Sequence, residues 1–221
     1  MTLSALAAKD VAQYLKDNPD FFNQYADALA QISIPDPHGG RAVSITERQI
    51  GTLRDQARRL ESKLAELIRF GEENDALLAK THRLVVALTS ARDSGAVLRV
   101  LYAHLGGDFD VPHVAVRLWD VEGDPAAPEF TPMSREAREF AATLKRPYCG
   151  AGSGPDVLGW FGARGTQVRS LALVALRRDG DTFGLLALGS EEPQRFYPEM
   201  GTLYLERIGE VAAAALARTL S

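Results

Sequence analysis

From Ile50 to Leu88 the chain steps at alternating intervals of three and four through Ile50, Leu53, Ala57, Leu60, Leu64 and Leu67, then Gly71, Asn74, Leu78, Thr81, Val85 and Leu88. That unbroken heptad seam predicts one long helix that needs a partner helix along its apolar face. From about Arg92 onward the period changes, and the sequence reads as an α/β module. Three segments follow: residues 1–43 as a helical hairpin and loop, 44–91 as a coiled-coil stalk, and 92–221 as a globular domain.

Hydrophobic residues make up 46% of the 221 residues and charged ones 24%, which fits a chain with real cores rather than a disordered one. No apolar run reaches the roughly 18 residues that span a bilayer, and the opening MTLSALAAKD lacks the pattern of a signal peptide. A cytoplasmic, soluble protein is the expectation. A single cysteine, Cys149, excludes an internal disulfide framework or a thiolate cluster for zinc or iron–sulfur within one chain. A net charge of -4 argues against a dominant attraction to nucleic acid or anionic lipid.

Along the first segment, Val11, Tyr14 and Leu15 sit at helical spacing. Asn18-Pro19 reads as the N-cap and first residue of a second helix carrying Phe21, Phe22, Tyr25, Leu29 and Ile32. Both helices are short, so their aromatic faces need to bury against something else. Residues 34–41, IPDPHGGR, form a loop, and Ser44 with Glu47 then make a capping box that starts the long helix. Running to about Ser90, it would be a rod of roughly 70 Å at about 1.5 Å per residue.

Ile68, Phe70 and Leu77 widen the stripe on either side of the seam. Gly71, Asn74 and Thr81 interrupt it. Asn74 reads either as a buried polar residue that fixes register, or as part of a local opening filled by Phe70 and Leu77; the wide stripe favours the latter. The stalk charges are mixed, as in Arg54, Asp55, Arg58, Arg59 and Glu61, which suits a solvated face and not a basic-zipper grip on DNA.

In the globular segment, a helix through Val97, Leu98, Leu101 and Leu105 ends at Gly106-Gly107. A strand follows over 113–119, with Val114, Val116 and Leu118 on one face and Ala115, Arg117 and Trp119 on the other. After a turn-rich stretch, a helix over 135–144 and strands over 168–176 and 183–189 follow, the strands joined by a turn containing Asp179-Gly180. A helix over about 199–219 closes the chain. The order makes an α+β fold, an antiparallel sheet with helices gathered on one face.

That order, with HRLVVALTSARDSGAVLRVLYAHL leading to HVAVRLW and FGLLALGSEEPQRFYPEMGTLYLERIGEVAAAAL closing the chain, resembles the GAF family of small-molecule sensor domains. The strings VAQYLKDNPDFF, IPDPHGGRAVSITERQIGTLR, EENDALL, RPYCG and RFYPEMGTLYL resemble the bacterial domain-of-unknown-function family 484 over nearly the whole chain. The resemblance implies a GAF-like domain behind a helical stalk, with no established biochemical activity. Members of that family are often encoded near a tyrosine recombinase of chromosome-dimer resolution, which points toward that process without showing a link.

The known chemistries of GAF domains are hard to place on this chain. The Asn-Lys-Phe-Asp-Glu signature of cyclic-nucleotide binders does not align. Cys149 is followed by Gly150, where bilin attachment favours histidine. Reduction of free methionine sulfoxide uses several cysteines, and with Cys149 alone that cycle does not close within one chain. Cys149 reads as a redox or ligand-contacting thiol, with Lys145 and Arg146 near in sequence, or as a small residue buried at a strand end; the usual burial of free cysteine favours the second. His38, His82, His104 and His113 are scattered without metal-ligand spacing, and GAGSG at 150–154 lacks the Gly-Lys-Ser/Thr ending of a P-loop.

A ligand site, if the domain has one, is expected on the sheet face away from the helices. It would lie under the insert between about Asp120 and Gly165 and involve Arg117, Trp119, Tyr148, Cys149, Trp160 and Arg169. Arg117 would hold an anionic group and the aromatics would stack on a flat one. Equally, Trp119 and Trp160 fill a core and the arginines are solvated. The sequence names no cofactor. The leading reading is a non-enzymatic regulatory module, homodimeric through its stalk, that binds a small molecule or a protein partner, the latter at the N-terminal hairpin, with no direct nucleic-acid or membrane contact. The alternatives are a structural adaptor with a vestigial pocket and a redox sensor built on Cys149.

Overall fold

The computed structural model describes residues 7–27, 32–34, 43–151 and 157–220. Parts of the predicted elements at 28–31, 35–42 and 152–154, and the side chains of the Ser44 and Glu47 capping box, lie outside what is described. Two compact units divide the chain, Met1–Gly71 and Glu72–Ser221.

In the first unit, helix α1 (Ala8–Asp17) and the short α2 (Asp20–Gln24) contain no buried residue. Phe21 stacks on Tyr25 with ring centroids 4.8 Å apart. Asn18 does not cap the start of α2 as its neighbour Pro19 led one to expect. Its Nδ2 instead donates to the Tyr14 carbonyl at 3.0 Å and closes the end of α1, satisfying one of the orphan carbonyls there, and Pro19 takes the N-cap position. Strand β1 (Ser33–Ile34) pairs antiparallel with β2 (Val43–Ser44), bracketing the Pro-Gly segment. Helix α3 (Ile45–Ser90) then runs without a break, ending where the heptad pattern predicts.

The second unit begins within α3. Here the structure separates residues that the heptad groups together. Leu88, read from sequence as a seam position, is buried with Leu84 in the core of the α/β domain, and Thr81 on the same seam is buried too, while Leu78, also a seam position, is exposed. The Thr81 hydroxyl donates to the Leu77 carbonyl one turn back at 2.8 Å, so it enters that core already satisfied. Helix α4 (Ser94–Gly107) starts on an Asp93 cap, whose Oδ1 accepts from the Ala96 N–H at 2.7 Å.

The sheet consists of β3 (His113–Leu118), β4 (Tyr148–Ala151), β5 (Ser170–Arg178) and β6 (Asp181–Ser190), all antiparallel in the order β3-β6-β5-β4. Asp179 and Gly180, with φ of 55° and 96°, form the two-residue turn between β5 and β6; both angles lie where a primed hairpin turn requires them. Helix α5 (Arg135–Thr143) starts on a Ser134 cap and lies in the insert between β3 and β4. Helix α6 (Leu203–Thr219) closes the chain.

Two apolar cores flank the sheet. Val116, Leu118, Val174, Leu186 and Leu188 face the end of α3, α4 and α6. Ala115, Trp119, Leu171, Leu173 and Leu185 face the insert. Gly209 lets α6 lie against β5, since a Cβ there would collide with the Val174 side chain. The Arg218 guanidinium on α6 donates to the Leu88 and Ala91 carbonyls at 3.2 and 2.8 Å, which supplies the cation that the last turn of α3 lacks.

Candidate functional site

Alternation along β3 sends Arg117 and Trp119 to the insert face, as predicted, and register pairs Arg117 with Leu185 of β6. Both side chains are almost completely covered, at 9% and 7% exposure. The Arg117 guanidinium lies 5.1 Å from the centroid of the Trp160 ring, which the insert folds over it, and its Nη1 donates to the Val116 carbonyl at 3.0 Å. Tyr148, on the edge strand β4, packs in the same core with its ring edge toward Phe140 at 6.3 Å. Four of the six predicted residues therefore come together on one face.

The other two do not join them. Cys149 pairs with Ala172 and packs in the opposite core, among the residues that face the helices. Burial pushes its thiol up to about 11, the reverse of what a reactive thiolate needs. Arg169 precedes the first residue of β5 and is exposed; its backbone N–H pairs with the Ser190 carbonyl.

Sequence reasoning also missed a pair, half-buried Tyr102 and buried Glu129, of which Tyr102 packs against the core that faces the helices. Glu129, in a 3-10 turn (Pro128–Phe130), is buried, and the Tyr102 hydroxyl on α4 donates to its Oε1 at 2.6 Å. Burial and the adjacent Glu129 carboxylate hold the Tyr102 phenol above its ordinary range. Burial also lowers the Arg117 guanidinium from its ordinary value, while the charges of Tyr102 and Glu129 act on it in the opposite direction. Tyr102 and Glu129 thus tie α4 to the 3-10 turn through a partly buried hydrogen bond. No local signal marks Glu129 beyond its place between a proline and a phenylalanine. A cavity of about 410 Å³ reaches Tyr102 and Glu129 from the start of α4.

Arg138 on α5 lies 5.8 Å from the centroid of the Trp119 ring and pairs with Asp120 at 3.2 Å, beside a smaller cavity of about 230 Å³. Two of the histidines have identifiable surroundings. His104 Nδ1 lies 2.6 Å from Asp108, and hydrogen bonds from His104 and then Arg83 hold that carboxyl below the usual range. His113 is buried against Phe161, with its Nε2 3.6 Å from the Glu191 carboxylate. Among the described residues, no group of three or more His, Cys, Asp or Glu side chains is placed to hold a metal ion. Nor, among the described residues, is any helix long and apolar enough to cross a membrane.

The arrangement is a covered, aromatic-lined arginine on the insert face. Comparisons with known proteins place it in a wider context. The chain is similar to the uncharacterized protein YigA of Salmonella typhimurium, with 26% identity over 98% of this chain and 94% of that protein. It is also similar in structure to a free methionine-R-sulfoxide reductase of Neisseria meningitidis solved with its substrate (17% identity, 63% of this chain and 87% of that one, TM-score 0.45). A third similarity is to the nlh2 GAF domain of A. aeolicus in an inactive state (13% identity, 65% and 97%, TM-score 0.46). A family model described as protein of unknown function, DUF484, matches residues 1–221, and the chain belongs to that family.

Proposed function

We propose that the chain is a non-enzymatic regulatory module that dimerises through α3 and passes the state of its α/β domain to its partners along that helix. One observation carries this reading: a single helix bears an exposed aliphatic face and ends as a buried part of the domain core. Leu53, Leu60, Leu64 and Leu67 are each more than half exposed in one copy, whereas Leu84 and Leu88 are buried. An isolated helix gains little stability in water from such a stripe, and a second copy supplies the matching face. Because Leu84 and Leu88 belong to the same core as the sheet, a change in how that core packs acts directly on the helix.

The input is a small molecule bound over Arg117 or a protein partner bound at α1 and α2, where Tyr14, Phe22 and Tyr25 are exposed. A second reading, a structural adaptor without a ligand, is favoured by the coverage of Arg117 and Trp119 by the protein's own side chains. The two separate by native mass spectrometry of protein purified gently from cells. A dimer carrying a defined small-molecule mass, lost in Arg117→Ala, supports the sensor. An empty dimer across growth conditions, with partner capture abolished by Phe22→Ala and retained in Arg117→Ala, supports the adaptor.

A further inference from the structure

We infer that two copies pair in parallel and that the face of α3 they share follows an eleven-residue spacing from Leu64 onward, not the heptad. This rests on the dimeric reading above. In the last turns of α3 the heptad positions Thr81 and Leu88 are already occupied. Thr81 and Leu88 are buried in the domain of their own chain together with Leu84, and the Tyr204 hydroxyl of α6 donates to the Asn74 carbonyl at 3.0 Å. A second helix has no access to Thr81, Leu84 or Leu88.

The exposed side offers a line that shares Leu64, Leu67, Gly71 and Leu78 with the heptad but replaces Asn74, Thr81 and Val85 by Asp75, His82 and Val86. Leu64, Leu67, Ile68 and Gly71 are exposed, and eleven residues on so are Asp75, Leu78, Ala79 and His82, with Val86 beginning the next repeat. Leu78 and Val86 are each 52% exposed although they lie in the unit whose other large aliphatics are mostly core. Eleven residues in three turns is about 3.67 per turn, slightly more than a free helix, so a pair joined this way runs nearly straight or slightly right-handed. Upstream, where Ile50, Leu53, Leu60 and Leu64 keep the heptad, the pair is left-handed. The change of phase falls around Gly71, where a Cβ would meet nothing in the same chain, leaving room for close approach of a second backbone.

The change of phase also selects the orientation. A shift in one helix is accommodated when the same shift faces it, and parallel, in-register pairing supplies that along the whole length. Nine large aliphatic and aromatic side chains from Ile50 to Val86 are each 43–67% exposed in one copy, a continuous apolar supply for an interface of standard size, about 800 Å² from each partner.

Single-cysteine substitutions at surface positions of the full chain test this by air oxidation, read on non-reducing gels, with sedimentation alongside. The wild type, whose Cys149 is buried, is the blank. Leu60→Cys, Asp75→Cys and Val86→Cys are expected to give covalent dimers, and Asn74→Cys and Val85→Cys to stay mostly uncoupled, because adjacent helical residues point about 100° apart. Coupling at Leu60→Cys, Asn74→Cys and Val85→Cys but not at Asp75→Cys or Val86→Cys overturns the inference and leaves the dimer standing. So does a sedimenting dimer with no coupling at Leu60→Cys, which marks antiparallel pairing. Sedimentation at the mass of one chain refutes the dimeric reading itself.

Discussion

Replacing Leu84 by alanine asks whether the end of the long helix is core or stalk. Leu84 is fully buried beside Leu88 in the core between the sheet and α6. Truncation removes three carbons, worth about 2.4 kcal/mol at ~0.8 kcal/mol per buried CH₂, and the unfilled space brings the expected loss to about 3 kcal/mol within a usual range of 2–5. With m of about 2 kcal/mol/M in urea, the midpoint falls by about 1.5 M with m unchanged. The assay is urea unfolding followed by circular dichroism, in a background carrying Leu60→Asp and Leu67→Asp so that association does not enter. In that background Leu64→Ala, at a position exposed in one copy, is expected to cost less than about 0.5 kcal/mol. A Leu84→Ala loss below about 1 kcal/mol, or one equal to that of Leu64→Ala, refutes the assignment of these turns to the domain core.

Tyr102→Phe deletes the hydroxyl that donates to buried Glu129 at 2.6 Å and leaves that carboxylate short of a donor; the expected cost is about 1.5–3 kcal/mol by urea unfolding, and a loss under about 0.5 counts against the pairing. Gly209→Val drives a side chain into Val174 and is expected to cost more than about 1–3 kcal/mol by the same assay, whereas wild-type stability would show that α6 has room to shift. Cys149 should resist thiol reagents at pH 8 until the protein unfolds, and fast labelling of native protein contradicts its burial. Its ionisation also gives stability a pH dependence. The unfolded thiol ionises near 9.0 and the folded one near about 11, so the contribution is intact below pH 9 and is lost as pH climbs toward 11; Cys149→Ala flattens that slope.

Patterns with a strict period were legible, and partners distant in sequence were not. Alternation over 113–119 placed Arg117 and Trp119 on one face because a buried strand has period two, and Asp179-Gly180 marked the turn between β5 and β6 because both residues tolerate positive φ. Cys149, favoured from sequence as a small residue buried at a strand end, is buried there; that it faces the helices and not the insert was not legible, because β4 has only four residues and no alternating run to set its parity. The heptad correctly announced a long helix but not which surface each position meets. Thr81 and Leu88 satisfy its spacing while packing into their own domain. Glu129 carries no periodic signal at all, and its hydrogen-bond donor, Tyr102, lies 27 residues earlier.

The central claim, that α3 joins two copies of this chain while its end is held in the α/β core, is tested most directly by sedimentation equilibrium of the full chain at micromolar concentration. The account predicts a particle of twice the 24.0 kDa chain mass, reduced to 24.0 kDa by Leu60→Asp with Leu67→Asp while the circular dichroism of the α/β domain persists. A wild-type protein that sediments at 24.0 kDa throughout, or a doubly substituted one that stays dimeric, contradicts it.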